Sequence, residues 1–312
     1  MRVLPDRLDF AVRVLDFALC GIFAVALCAF FARDAFAAPH RIVSLSPVGT
    51  EILYALGQGK NIVGVTKFCD YPPEARKKPQ VGEYAQVNFE DILLRETDLL
   101  VIQDMHAQFC SALARLGIPF VIVRQKSMAE IYDSICELGR LCSQEKKAAA
   151  LVSRMKQEVA DVRAKVRGRP VRTVLLAVSR ELSEPKISVV YAAGKKTFYN
   201  ELIEAAGGKN IISSVSAAYP KVSQEGIVSL DPDVIIDLVG DRSYYHAMEN
   251  IDLDKVFGGN FLKNQWAKSV SVKAVTAGRV SVLAGTMYLR PGPRLGKILY
   301  EFAKAVHPEV KW

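Results

Sequence analysis

The stretch Gln144-Glu-Lys-Lys-Ala-Ala-Ala-Leu-Val-Ser-Arg-Met-Lys-Gln-Glu-Val-Ala-Asp-Val-Arg-Ala-Lys-Val-Arg-Gly168 divides the chain into halves of comparable size. Val152, Met155, Val159, Val162 and Val166 recur at alternating steps of three and four, and Lys146, Lys147, Arg154, Lys156, Glu158, Asp161 and Arg163 cover the other faces. That spacing predicts a helix with one apolar face. Ser143 is the expected N-cap, and Gly168 ahead of Pro170 supplies the stop. At about 1.5 Å per residue the helix would span about 35 Å, long enough to bridge two lobes. An ordinary long surface helix is the plainer alternative.

On the N-terminal side, Arg41-Ile-Val-Ser-Leu-Ser-Pro47 reads as a buried strand ending at a turn, followed by a short helix over 50–56 that Gly57 closes. Further short apolar runs at 62–65, 99–102 and 120–123 are of the parallel-strand type, with an amphipathic helix between the last two. Asp70-Tyr-Pro-Pro73 fits neither helix nor central strand and is expected as a rigid loop. A helix carrying Met128, Ile131, Ile135 and Leu138 leads into the long one. Beyond it a second series begins: strand 173–178, helix 197–206 ended by Gly207-Gly208, strands 234–238 and 280–283, and a C-terminal helix over 294–306. Strands alternating with helices imply mostly parallel sheets covered on both faces.

The halves echo each other. Glu90-Asp-Ile92 with Asp98 precedes one apolar strand, and Glu225-Gly-Ile227 with Asp233 precedes another at the same spacing. Two similar lobes joined by one helix leave a cleft between the carboxyl ends of their strands, where α/β sheets bind ligands. The expected organisation is therefore an α/β chain with two Rossmann-like lobes, 38–125 and 170–312, and connecting helices over 126–169.

Residues 17–32 are almost wholly apolar, and Ala35-Phe36-Ala37 offers the small-x-small pattern of a cleavage site. Segment 1–37 is thus expected to be a cleaved signal peptide, the alternative being a retained membrane anchor. Cys20 and Cys28 each follow leucine, which argues against a lipid attachment site at either. The net charge of +8 survives removal of the leader, because Arg2, Arg7, Arg13 and Arg33 cancel Asp6, Asp9, Asp16 and Asp34. Basic residues are scattered and accompany no nucleic-acid motif, so nucleic acid is not an expected partner.

Cys69, Cys110, Cys136 and Cys142 remain after processing; an exported location permits disulfides, with three pairings open. They lack paired CxxC spacing, which argues against structural zinc. His40, His106, His246 and His307 are too few and too scattered for a receptor of bare zinc or manganese. Tyr244-Tyr245-His246 could supply one axial ligand to a haem or cobalt centre, or be a simple loop. There is no Gly-x-Ser-x-Gly elbow, HExxH or glycine-rich phosphate loop, so a periplasmic α/β hydrolase is only a remote alternative.

Taken together, Arg41-Ile-Val-Ser-Leu-Ser-Pro-x-x-Thr50-Glu51, Asp70-Tyr-Pro-Pro73, Gln80-Val-Gly82, the two glutamate repeats, Gly207-Gly-Lys-Asn210, Tyr219-Pro-Lys-Val-Ser223 and Arg290-Pro-Gly-Pro-Arg294 resemble the substrate-binding proteins of ABC importers for vitamin B12, ferric siderophores and haem. The resemblance covers essentially the whole chain after the leader. It implies a class III periplasmic binding protein fold, in which a monomeric receptor with one long backbone helix and limited closure captures a metal chelate. The receptor carries no cofactor of its own and delivers the chelate to a membrane permease and its ATPase.

Asp70-Tyr-Pro-Pro73 with Tyr219-Pro220 looks closest to the vitamin B12 binders, with siderophore or haem receptors as the alternative. Matching that pattern places Phe68, Tyr84 and Tyr219 where the family lines its cleft with aromatics. Tyr84 and Tyr219 replace tryptophans of the best-known example, and Phe68 a tyrosine; a core role is the alternative for each. Flat rings suit a flat amphipathic corrin. Gln103, Thr286 and Tyr288 fall among further ligand contacts, Gln103 and Thr286 departing from the family's residue types. Arg290 matches a cleft-facing arginine whose forked donors suit an amide, phosphate or carboxylate. Glu90 and Glu225 match glutamates that meet arginines of the two permease subunits.

Overall fold

The computed structural model describes residues 38–82, 87–240, 253–258 and 260–312. Segment 1–37, expected to be a signal peptide, Tyr84 and Tyr244-Tyr245-His246 lie outside the described residues.

Four short strands, β1 (Ile42–Ser44), β2 (Ile62–Val65), β3 (Leu99–Gln103) and β4 (Phe120–Val123), form a wholly parallel sheet in the order β2-β1-β3-β4. Alternate residues point to opposite faces. Ile42, Val101, Val121 and Val123 enter one apolar cluster, while Val43, Leu45, Leu100 and Ile102 enter another. Both faces are covered, which is why these strands read as unbroken apolar runs. Helices α1 (Pro47–Ala55), α2 (Phe89–Leu94) and α3 (Cys110–Arg115) accompany this sheet. Helix α1 starts three residues earlier than expected: Ser46 caps it by accepting from the Gly49 amide at 3.0 Å, and Pro47 is tolerated in its first turn.

The chain then folds into a helical hairpin of α4 (Met128–Leu141) and α5 (Glu145–Val166). At 22 residues, α5 spans about 33 Å. Its buried stripe, Leu151, Val152, Met155, Val159, Val162 and Val166, belongs to one continuous apolar cluster that includes Ile42 and Val101 of the first sheet and Val174 and Ile236 of the second. Helix α5 packs chiefly on α4 and on the C-terminal helix α11 (Leu295–Val306). Ser143 does not cap it. Ser143 takes a left-handed conformation, φ 53°, and the Gln144 amide donates back to Gly139 O at 2.7 Å. The residue therefore turns the chain between two helices, a demand of the hairpin that outweighs capping preference. Gly139 permits the close crossing, since a Cβ there would lie 2.4 Å from that of Ala148. Gly168, at φ 77°, ends α5 as expected.

The second sheet runs β10 (Val280–Ala284), β9 (Val234–Val239), β5 (Arg172–Arg180), β6 (Val189–Ala192) and β8 (Lys221–Ser223), with β7 (Gly208–Asn210) paired to β5. Strands β5, β7, β9 and β10 are mutually parallel where they pair. Strand β6 is antiparallel to both β5 and β8, so this sheet is mixed. Helices α6 (Phe198–Ala205), α7 (Gln224–Leu230), α8 (Leu253–Phe257), α9 (Phe261–Ser269), α10 (Lys273–Thr276) and α11 follow among the described residues.

The repeat seen in the sequence has a structural counterpart. Asp98, ahead of β3, accepts from the His40 and Arg41 amides at 2.7 and 3.0 Å and so fixes the start of β1. Asp233, ahead of β9, accepts from the Thr173 amide at 2.9 Å and fixes the start of β5. In both sheets the two strands so joined are neighbours. Cys69, Cys110, Cys136 and Cys142 are free thiols. Burial pushes the Cys142 thiol up to about 11. Among the described residues no helix is long and apolar enough to cross a membrane.

Candidate functional site

In the first sheet the chain leaves β2 through Lys67, Phe68, Cys69, Asp70 and Tyr71, and leaves β3 at Gln103. In the second it leaves β10 through the 3-10 turn Thr286–Leu289 and reaches Arg290. All these segments follow the carboxyl ends of parallel strands. Two ion pairs bring the segments of the two sheets together. Arg290 Nη1 donates to Asp70 Oδ1 across 220 positions of sequence. Arg294 forks onto Glu51 across 243 positions, Nε donating to Oε2 at 2.8 Å and Nη2 to Oε1.

These contacts are shielded from water: the Arg290 and Asp70 side chains are 9 and 15% exposed, and those of Arg294 and Glu51 13 and 2%. The Arg294 guanidinium also lies 3.9 Å from the Tyr71 ring centroid, a cation-π contact. Gly292 lets the segment 290–294, the strap after β10, run tight against α1, where a Cβ would sit 3.3 Å from Val48. Desolvation raises the Glu51 carboxyl above its ordinary range, opposed by its hydrogen bond and charge contact with Arg294. Nothing local in the sequence marks Glu51, Asp70 or Arg294 as partners, because each pairs with a residue more than two hundred positions away.

The expected ligand contacts fall into several settings. Phe68 is half-buried beside Lys67, whose Nζ lies 5.4 Å from the ring centroid. Tyr219 is 47% exposed ahead of β8, and the buried Tyr199 donates its hydroxyl to Tyr288 O at 2.9 Å. Gln103 is buried and caps the 3-10 turn Asp104–Phe109, its own amide donating to His106 Nδ1 at 3.4 Å. Thr286 is buried, and Tyr288 lines an apolar groove of about 440 Å³ between α5 and α11 with Val162 and Met287. Arg290 is buried against Asp70. Tyr84 is outside the described residues.

Glu90 and Glu225 are both exposed and occupy the first turns of α2 and α7. The caps are Asn88, which accepts from the Asp91 amide at 3.1 Å, and Ser223, which accepts from the Gly226 amide at 3.2 Å. The Glu225 carboxyl is held below its ordinary range by its own backbone amide and then by Ser223.

The sequence model of the periplasmic binding protein family matches residues 42–283. An uncharacterised ABC transporter substrate-binding lipoprotein of Bacillus subtilis is 32% identical over 279 residues, 87% of this chain and 81% of that protein. A vitamin B12-binding protein of Pectobacterium atrosepticum is 28% identical over 221 residues, 70% of this chain and 77% of its own. The crystal structure of a possible iron-binding, periplasmic solute-binding protein from Staphylococcus epidermidis superposes with a TM-score of 0.66 at 30% identity, over 86% of this chain and 98% of that one. With a matching family model spanning both sheets, and two sheets whose carboxyl ends are drawn together by paired charges, the chain belongs to the periplasmic binding protein family.

Proposed function

We propose that this chain is the exported substrate-binding component of an ABC importer, and that it holds a corrinoid at the carboxyl ends of its two sheets. The observation that carries the reading is the Asp70–Arg290 pair, which brings the loops after β2 and β10 face to face. The protein is a binding protein and not an enzyme. On this reading 1–37 is a cleaved leader and the mature receptor works in the periplasm as a monomer. Lobes 38–125 and 170–312 are joined through 126–169. Glu90 and Glu225 face the permease, which its ATPase drives.

Phe68, Tyr84 and Tyr219 are the rings assigned to the ligand, with Gln103, Thr286, Tyr288 and Arg290 around them. The likeness to the Pectobacterium vitamin B12-binding protein supports a corrin. The Staphylococcus structure named as possibly iron-binding supports an iron chelate as the second reading.

Calorimetry with cyanocobalamin decides between them. Binding is expected in the unmodified chain, and Phe68→Ala or Tyr219→Ala is expected to weaken it by about 1–3 kcal/mol, roughly tenfold to a hundredfold. Absence of heat together with an unmoved Tm at high ligand concentration would rule out the corrinoid.

A further inference from the structure

We propose that Asp70 is a charge filter: by holding Arg290 neutralised at the meeting of the two sheets, it makes the site reject chelates that carry carboxylates. The proposal rests on the site reading above but not on the corrinoid itself.

Two acids and two bases, Glu51, Asp70, Arg290 and Arg294, form one cluster between α1 and the loop after β2 on one side and the strap after β10 on the other. The four act on one another as a set, since the Glu51 carboxyl responds, after its own burial, to Arg294, Arg290 and Asp70. Formal charges cancel within the cluster. Both arginines of the strap are therefore matched by carboxylates of the protein before any ligand arrives.

Arginine stays protonated at every accessible pH, so its charge can be cancelled only by an anion beside it. Asp70 is that anion, and it is itself only 15% exposed. A ligand carboxylate approaching Arg290 meets Asp70 already paired with Nη1. Pairing with Arg290 would mean displacing Asp70 and leaving a buried carboxylate without its partner, which is strongly unfavourable. A neutral amide imposes no such exchange, because it can use other donors of the five on the guanidinium while Asp70 stays in place. Substituting Asp70 by its amide inverts the preference, leaving a buried cation that an incoming carboxylate would satisfy.

The test uses the full chain and haemin, a flat chelate with two carboxylates, titrated by visible absorbance. Asp70→Asn is expected to bind haemin at least tenfold more tightly than the unmodified protein, and the gain is expected to vanish in Asp70→Asn with Arg290→Gln. A change of less than twofold in Asp70→Asn, or a gain that persists without Arg290, overturns the filter. Should Asp70→Asn fail to fold by circular dichroism, Arg290→Gln alone carries the test. It leaves an unmatched carboxylate and should weaken haemin at least tenfold; unchanged affinity overturns the proposal. Failure of the corrinoid reading is seen separately, as absence of cyanocobalamin binding to the unmodified chain, and leaves the haemin comparison intact.

Discussion

Replacing Arg180 with Met is expected to lower unfolding free energy by about 3–5 kcal/mol, the usual cost of removing one partner from a buried ion pair. The Arg180 and Asp237 side chains are 1 and 0% exposed; Arg180 ends β5 and Asp237 lies within the adjacent strand β9. Arg180 donates to Asp237 Oδ2 through Nε at 3.0 Å and Nη2 at 2.8 Å, and to Gln265 Oε1 through Nη1 at 2.8 Å. Trp266 Nε1 donates to the same Oδ2 at 2.9 Å, while Oδ1 has no hydrogen-bond partner. The carboxylate is already under-satisfied, so loss of the guanidinium leaves a buried charge held by one indole. Replacing both partners, as Arg180→Met with Asp237→Leu, should recover only part of the loss, because it removes the buried charge but leaves Trp266 Nε1 and Gln265 Oε1 without their partners. Denaturant unfolding of the two variants decides it: a single-variant loss below about 1 kcal/mol would show that water reaches Asp237.

Much of the architecture was legible because apolar patterning survives in a parallel sheet. The fully buried runs Ile42–Ser44, Leu99–Gln103 and Val234–Val239 appear as mainly apolar stretches, broken only by Ser44, Gln103 and Asp237, and the three-and-four stripe of α5 marks a helix whose one face is shared. The antiparallel part of the second sheet was not legible. Strand β8 is three residues long, with only Val222 buried between exposed Lys221 and Ser223, and β6 exposes Tyr191. Such short half-exposed pieces carry too few apolar residues to differ from loop.

Ser143 shows a different loss of information. Its type and position fit a cap, yet the tight hairpin from α4 to α5 requires a left-handed residue there. The site was legible as a set of motifs but not as a set of pairs. Arg290-Pro-Gly-Pro-Arg294 declares two arginines near a turn, whereas their partners Asp70 and Glu51 are chosen only when two sheets meet.

The repeat carries the largest functional expectation. Glu90→Arg with Glu225→Arg should leave ligand affinity nearly unchanged yet abolish binding to the permease and stimulation of its ATPase. The two glutamates stand at corresponding places. Each is in the first turn of a short helix that leads into a strand whose preceding aspartate, Asp98 or Asp233, pins the first strand of its sheet. Each is exposed, and among the described residues neither makes an ion pair with the rest of the chain. Asn88 and Ser223 already cap the helices, so the glutamates are not needed as N-caps, although Glu225 also accepts from its own amide. Exposed carboxylates at helix N-termini are favoured by the helix dipole and remain free to meet a partner's cation.

On the proposed docking role, one such charge on each half of the chain suits a two-subunit permease, and contacts of this kind set encounter and register. Reversal of both signs turns attraction into repulsion at two points while leaving the loops that hold Asp70 and Arg290 untouched. The measurement is ATPase stimulation and ligand uptake with the permease reconstituted in vesicles. Normal delivery by the doubly reversed protein would show that Glu90 and Glu225 do no more than stabilise the first turns of their helices.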